Sequence, residues 1–71
     1  MSSKTTGTVK FFHTKKGWGI ITTEGGDDCF VYYRAIEPDN AGFKDLSEGQ
    51  QVEFMQVRSE KGWQAAEVYL M

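Results

Sequence analysis

Two short stretches decide the fold of this chain: Lys-Gly-Trp-Gly-Ile-Ile at residues 16–21 and Cys-Phe-Val-Tyr-Tyr at residues 29–33. Successive side chains of a β-strand point to opposite faces of the sheet, so every second residue shares a face. This alternation sends one set of side chains outward: Trp18, Ile20, Phe30 and Tyr32. A half-buried strand normally hides its large apolar residues, so exposed rings side by side indicate a binding surface.

The pattern around these stretches predicts strands and turns rather than long helices. Segments rich in β-branched and aromatic residues are separated by clusters of Gly, Asp, Asn and Ser. The predicted strands cover residues 6–13, 18–22, 29–33 and 50–57, and a fifth strand follows a turn at residues 59–62. A turn at residues 23–28 joins strands two and three as a hairpin. Residues 34–49 show no sustained period and predict a long connection with one helical turn near Ala35.

The predicted strands can bury a single core only if the sheet curls on itself, which gives an all-β fold, a small five-stranded antiparallel barrel. The chain of 71 residues is expected to form one domain. We expect Ile36 and Leu46 to pin the long connection to the core, and Ala66, Val68 and Leu70 to form the inward face of the last strand. The full predicted core is Val9, Ile21, Cys29, Val31, Ile36, Leu46, Val52, Phe54, Ala66 and Val68.

Charge is distributed unevenly along the chain. Ten acidic and eight basic residues give a formal net charge of −2, which by itself speaks against a polyanionic partner. Residues 1–20, however, carry four lysines and no acid, whereas residues 21–53 carry eight acids and two basic residues. Lys10 and Lys16 therefore lie among the first aromatic strands. This pattern fits a nucleic-acid-binding patch, and an ordinary solvated cationic end is an open alternative.

Several classes of site find no support in the sequence. Cys29, the single cysteine, has no partner for a disulfide or a zinc site, and its place in an alternating strand predicts a buried core residue. His13, the single histidine, has no second ligand or arranged carboxylate pair beside it, so we predict no metal site, no cofactor and no enzyme activity. No apolar run resembles a membrane span or a secretory signal, so we expect a cytoplasmic protein without a membrane partner.

The motifs in these segments resemble the bacterial cold-shock domain. They are Gly7-x-Val9-Lys10-x-Phe12, Lys16-Gly17-x-Gly19-x-Ile21, Phe30-Val31, Ala35-Ile36, Phe43-Lys44-x-Leu46, Glu48-Gly49-Gln50 and Gln64-Ala65-Ala66-x-Val68. The resemblance covers about residues 6–70 of a single domain, 1–71, and we expect residues 1–5 to be a loosely held tail. It implies an oligonucleotide-binding (OB) barrel that binds single-stranded RNA or DNA, opens weak RNA structure as an RNA chaperone, and regulates gene expression in a stress response.

Carried over by position, the resemblance implies a nucleic-acid-binding surface of rings with a few polar partners. The implied binding residues are Lys10, Phe11, Phe12, His13, Lys16, Trp18, Ile20, Asp28, Phe30, Tyr32, Tyr33, Phe43, Lys61 and Trp63. Every base has a π-face, so exposed rings bind single strands with little regard to sequence, at roughly 1–3 kcal/mol per stacked base. Because stacking supplies most of the affinity, few lysines are needed. For Phe12 and Phe43, covering the core is an open alternative.

Several positions depart from the family pattern. Ile20 stands where the family has a phenylalanine, which removes a stacking plane and predicts one weaker base subsite. Tyr32 and Tyr33 stand in place of His and Phe, keep their rings and add hydroxyl groups that can bond to bases or phosphates. Arg34 stands in place of a serine and brings a cation to this edge. Trp63 stands where proline is common and either lengthens the ring platform or plugs the barrel mouth.

Other interpretations stay open beside nucleic-acid binding. A protein-interaction barrel, whose rings dock a partner or a second copy of the chain, fits the acidic total and the aliphatic Ile20. An enzyme would need an arranged set of nucleophile, base or metal ligands, which the sequence lacks. We expect a monomer, with a strand-swapped dimer as the alternative because the connection between strands three and four is long.

Overall fold

The regular secondary structure in the part of the chain that the structure describes consists of β-strands and one short helical turn. The computed structural model describes residues 4–36 and 46–71. Its strands are β1 (Thr5–His13), β2 (Trp18–Thr23), β3 (Asp28–Tyr32), β4 (Gln51–Ser59) and β5 (Gly62–Leu70), and a 3-10 helix covers Tyr33–Ala35. The five predicted strands and the helical turn near Ala35 are therefore confirmed, except that Tyr33, predicted as the end of strand three, belongs to the 3-10 helix. Thr5, assigned above to the tail, is the first residue of β1.

The strands close into a barrel in the order β1, β2, β3, β5, β4, with β4 pairing back to β1. This confirms the all-β, five-stranded barrel expected from the sequence. All neighbouring strands are antiparallel except β3 and β5, which are parallel. The parallel pairing was not predicted, because the long connection and β4 separate its two strands and leave no local signal.

The core takes side chains from every strand and from both ends of the long connection. Its buried apolar residues are Val9, Ile21, Cys29, Val31, Ile36, Leu46, Val52, Phe54, Ala65 and Val68. These are the predicted residues with one exchange in β5, where Ala65 is buried in place of Ala66. Leu70, also predicted to face inward, is 53% exposed at the end of the strand.

A β-bulge in β5 explains the exchange. The pairing with β4 shifts register so that one residue, Phe54, faces two residues of β5, Glu67 and Val68. Glu67 has a φ of 51°, in the left-handed region, and marks the position of the extra residue. The alternation of inward and outward side chains shifts by one residue at the bulge, so that Ala65 and Val68 both point inward. The prediction of Ala66 as an inward residue was wrong because strict alternation ignores such a bulge.

A second bulge lies in β1 and turns one of the predicted binding rings toward the core. Lys10 is the extra residue, because the pairing with β2 shifts register between Val9 and Phe11. Strict alternation from Val9 would place Phe12 on the outer face. With the bulge, Phe11 faces outward, and Phe12 packs against the core opposite Gly19. The bulge therefore places Phe11 on the outer face and Phe12 against the core.

Both ends of the long connection are anchored in the core, as predicted. Ile36 and Leu46 are buried, and Ile36 forms a parallel bridge with Val68 of β5. Phe43, a predicted binding residue, lies outside the described residues. The described part of the chain contains no helix with the length and apolar character that a membrane crossing requires.

Cys29 is fully buried in β3, as predicted, and its environment suppresses the thiolate. Burial first, and then the carboxylates of Asp27 and Asp28, raise the pKa of the thiol from 9.0 to about 11. Because the thiolate is the nucleophile, the folded protein should react with an aromatic disulfide reagent at pH 8 roughly a hundredfold more slowly than the unfolded protein. Absorbance of the released thiol, with and without denaturant, measures both rates. Equal rates would contradict the buried position of Cys29.

Candidate nucleic-acid interface

Rings from three strands form a continuous surface on the outer face of the barrel. The centroid of the Phe11 ring lies 5.2 Å from that of His13 and 5.8 Å from that of Trp18. Trp18 in turn lies 5.1 Å from His13 and 6.0 Å from Phe30. The last contact, between Phe30 and Tyr32, is stacked, with 14° between the ring planes and 6.4 Å between centroids. These five residues are named the ring surface below.

Strand pairing explains why these rings meet. Residues paired directly across neighbouring strands share a face, and their side chains contact one another. Two such rows cross from β1 through β2 to β3: His13, Trp18 and Tyr32 form one, and Phe11, Ile20 and Phe30 form the other. Phe11 joins the second row only because the bulge at Lys10 turns it outward.

The burial of the alternate residues confirms which way the rings face. Cys29 and Val31, which flank Phe30 in β3, are fully buried, whereas Phe30 and Tyr32 keep part of their surface in solvent. In β2 the same holds for Trp18, whose ring is half-buried. Each of these residues is therefore packed in part on the barrel and keeps part of its surface available to a ligand.

Ile20 lies at the centre of the ring surface without adding a ring. It pairs with Phe11 on one side and with Phe30 on the other, and its side chain is half-buried on the outer face. A base above Ile20 would gain dispersion contact but no stacking plane. The weaker base subsite expected at this position stays a prediction.

Three polar side chains lie beside the ring surface, near the turn between β2 and β3. Thr22 donates a hydrogen bond through Oγ1 to Oδ1 of Asp28, at 2.9 Å. Lys10 Nζ lies 3.6 Å from Oδ2 of the same carboxylate, and both side chains are more than half exposed. An exposed ion pair of this kind contributes little to stability. Its ammonium and carboxylate groups are therefore free to exchange their contact for a phosphate and a base amino group.

The remaining predicted binding residues lie at three other places. Lys16 and Tyr33 flank the Tyr32 end of the ring surface, where the backbone amide of Tyr33 donates to the carbonyl of Gly17 at 2.9 Å. Lys61 is exposed in the turn between β4 and β5. Trp63 packs against the core, and the Arg58 guanidinium lies 5.0 Å from its ring centroid. Trp63 therefore lies partly on the core at the start of β5 and is not one of the five rings of the ring surface.

Gln64 belongs to this surface but was not among the predicted binding residues. The parallel pairing of β3 and β5 places it directly beside Phe30, and its side chain is half-buried. Its amide can donate and accept hydrogen bonds, so it adds a polar contact at the edge of the second row. No local pattern could have placed it there, because its neighbour is 34 positions earlier in the sequence.

The chemistry available on this face is stacking and hydrogen bonding. Within residues 4–36 and 46–71 there is no group of three or more His, Cys, Asp or Glu side chains that could hold a metal ion. The rings offer flat apolar planes, while Lys10, Lys16, Asp28 and Gln64 offer charged and polar contacts around them. This combination suits a ligand with planar rings on an anionic backbone.

Comparison with known proteins agrees with this geometry. The family model of the 'cold-shock' DNA-binding domain matches residues 5–71. Cold shock protein CapB of Pseudomonas syringae pv. tomato is 54% identical over 71 residues, which is 100% of both chains. Major cold shock protein CspA of Pseudomonas aeruginosa is 49% identical over the same full length.

A structural comparison gives the same fold. A solved structure described as drosophila Unr CSD456 superposes with a TM-score of 0.77 over 99% of this chain, at 18% sequence identity. This chain spans 27% of that longer chain. The match over residues 5–71 and the full-length identities near 50% show that the chain belongs to the cold-shock domain family, whose members bind nucleic acids and are not enzymes.

Proposed function

We propose that this protein binds single-stranded RNA or DNA by stacking successive bases on the ring surface, and that it acts as an RNA chaperone or a regulator of gene expression. The observation that carries the proposal is the unbroken series of ring contacts from Phe11 to Tyr32. A duplex hides the faces of its bases inside the stack. The surface therefore selects unpaired strands.

The energetics allow an acidic protein to bind a polyanion in this way. Each stacked base contributes roughly 1–3 kcal/mol, so three or four bases supply most of a useful affinity without any ion pair. Lys10 and Lys16 add the few phosphate contacts that are available beside the rings. Affinity should fall only gently with salt, because the slope scales with the number of neutralised phosphates, at about −0.7 per contact for single strands.

A chaperone role follows from the same preference. Because the protein stabilises unpaired bases, it shifts the equilibrium of a weak hairpin toward its open form by mass action. Strong duplexes stay closed, since a few stacked bases cannot offset many base pairs. We further propose that the protein is a monomer, since the barrel closes within one chain. We also propose that it acts in the cytoplasm.

Titration of tryptophan emission tests the proposed function. Trp18 lies in the ring surface, so a short oligothymidine should quench its emission, whereas an equimolar duplex of the same length should have little effect. A marginally stable RNA hairpin labelled with a fluorophore and a quencher should open on addition of the protein. If fluorescence and a second method both show that the protein binds neither the oligothymidine nor the duplex at low salt, the ring surface serves instead to dock a protein.

Replacing Ile20 with phenylalanine should tighten the binding of single strands by about fivefold. The new ring would stand between Phe11 and Phe30 and supply the stacking plane that this row lacks. The side chain is only half-buried, so the fold should tolerate the larger group. The dissociation constant for oligothymidine is the measurement, and an unchanged value would show that no base lies over this position.

A further inference from the structure

An open cleft continues the ring surface at the end where β3 passes into the 3-10 helix. Its volume is about 610 Å³, which lies within the range of small-ligand pockets. Tyr32, the last member of the ring surface, forms part of its wall. Among the described residues, three charged side chains line it: Lys16, Arg34 and Glu67. The cleft therefore lies where a strand that leaves the ring surface at Tyr32 can continue.

The charges in the cleft are available to a ligand. All three side chains are exposed, and the only ion pair in the described part of the chain joins Lys10 and Asp28 elsewhere. Lys16 and Arg34 suit the phosphates of an incoming strand. The carboxylate of Glu67 repels phosphate, so the groups of a bound strand that it can attract are the hydrogen-bond donors of a base.

The backbone at Glu67 supports a role in binding. Its φ of 51° lies in the left-handed region, which favours Gly, Asn and Asp over a longer side chain. The conformation of the bulge therefore does not account for a glutamate at this position. Residues held in such conformations cluster at functional sites.

We propose, on the basis of the nucleic-acid-binding function above, that Glu67 selects guanine for the base that enters this cleft. Unpaired bases are read on their Watson–Crick edges. The edge of guanine presents two adjacent N–H donors, at N1 and N2, and the two carboxylate oxygens accept both. Adenine and cytosine present one amino donor next to a ring nitrogen that accepts, and thymine and uracil present one N–H donor between two carbonyl oxygens. None of these four bases therefore offers the carboxylate two adjacent donors. Gln64, which lines the same cleft, can donate to O6 of the guanine.

Scanning one guanine through an oligothymidine tests the assignment. A set of octamers carries a single guanine or a single adenine at each position, and quenching of tryptophan emission gives each dissociation constant. We expect guanine at one position to tighten binding roughly tenfold over thymine. Glu67→Gln should abolish this preference and favour adenine at that position, because an amide pairs with the adenine edge. Affinity for plain oligothymidine should rise, by less than about twofold, because thymine makes no bond to the carboxylate and loss of its charge relieves only a solvent-screened repulsion of the phosphates.

The control variant is Glu24→Gln, which removes an exposed carboxylate from the turn at the opposite end of the β2–β3 hairpin. It should keep the guanine preference unchanged. A scan without any preferred guanine position, or a preference that survives in Glu67→Gln, would overturn the proposal while leaving single-strand binding intact. Failure of the wild-type protein to bind plain oligothymidine would instead remove the proposed function itself.

Discussion

Replacing Phe30 with alanine should weaken the binding of a single-stranded oligonucleotide by roughly ten- to a hundredfold. Phe30 contacts both Trp18 and Tyr32, so it is the ring through which the two ends of the ring surface are joined. Without it, a strand stacked at one end must cross a gap to reach the other. Because the side chain stands on the outer face, the barrel should stay folded, as circular dichroism would verify.

The salt dependence separates this effect from a loss of charge. Stacking involves no ion release, so Phe30→Ala should lower affinity equally at every salt concentration and leave the slope of log affinity against log salt unchanged. Lys16→Ala should do the opposite and make the slope shallower by about 0.7. A changed slope in the Phe30 variant would mean that its effect comes from displaced phosphate contacts.

Tyr69 provides a matched control for the loss of a ring. It is 41% exposed on β5, and its ring contacts the Lys4 ammonium, 4.2 Å from the ring centroid, rather than the ring surface. Tyr69→Ala should change the affinity by less than about twofold, because no base stacks on this ring. If both variants lost affinity equally, exposed rings would act without regard to their position, and a defined stacking surface would be ruled out.

Alternation along β2 and β3 was sufficient to predict both the core and the rings from sequence. β2 and β3 pair with each other without a bulge, and the bulge where β1 meets β2 lies in β1, so the two-residue period holds from Trp18 to Ile21 and from Cys29 to Tyr32. The period is a property of the strand itself, which is why it can be read without knowing the partner strand.

The features that sequence could not predict all depend on pairing between strands. The bulge at Lys10 decides that Phe11, and not Phe12, joins the ring surface. The bulge at Glu67 decides that Ala65 is buried. A bulge arises from the register of two strands, so neither strand alone specifies it. The parallel pairing of β3 and β5, which brings Gln64 beside Phe30, is non-local in the same way.

Replacing Gly19 with alanine should lower the free energy of unfolding by about 3 kcal/mol or more. An added Cβ would lie 2.7 Å from Cα of Phe12 and 2.7 Å from a carbon of its ring, and closer still to the carbonyl oxygen of Phe11. Two of these three neighbours are backbone atoms of β1, which cannot move aside as a flexible side chain can. The strand itself must therefore shift.

A loss of this size is a large share of the stability that a chain of 71 residues has, which is about 4–11 kcal/mol. Urea unfolding followed by circular dichroism measures it. Gly25→Ala is the matched control, because a Cβ there would have its nearest neighbour at 3.8 Å, the Thr23 hydroxyl oxygen. We expect that variant to stay within about 0.5 kcal/mol of the wild type.

The shift of β1 connects this stability effect to the site. Gly19 pairs with Phe12 directly beyond the bulge that turns Phe11 outward, so moving β1 away from β2 disturbs the contact between Phe11 and Trp18. The fraction of Gly19→Ala that stays folded at low temperature should therefore bind oligothymidine more weakly than the wild type, whereas Gly25→Ala should bind normally. Wild-type stability in Gly19→Ala would contradict the close approach of β1 to Gly19, and with it the reason why a residue without a side chain stands between Trp18 and Ile20.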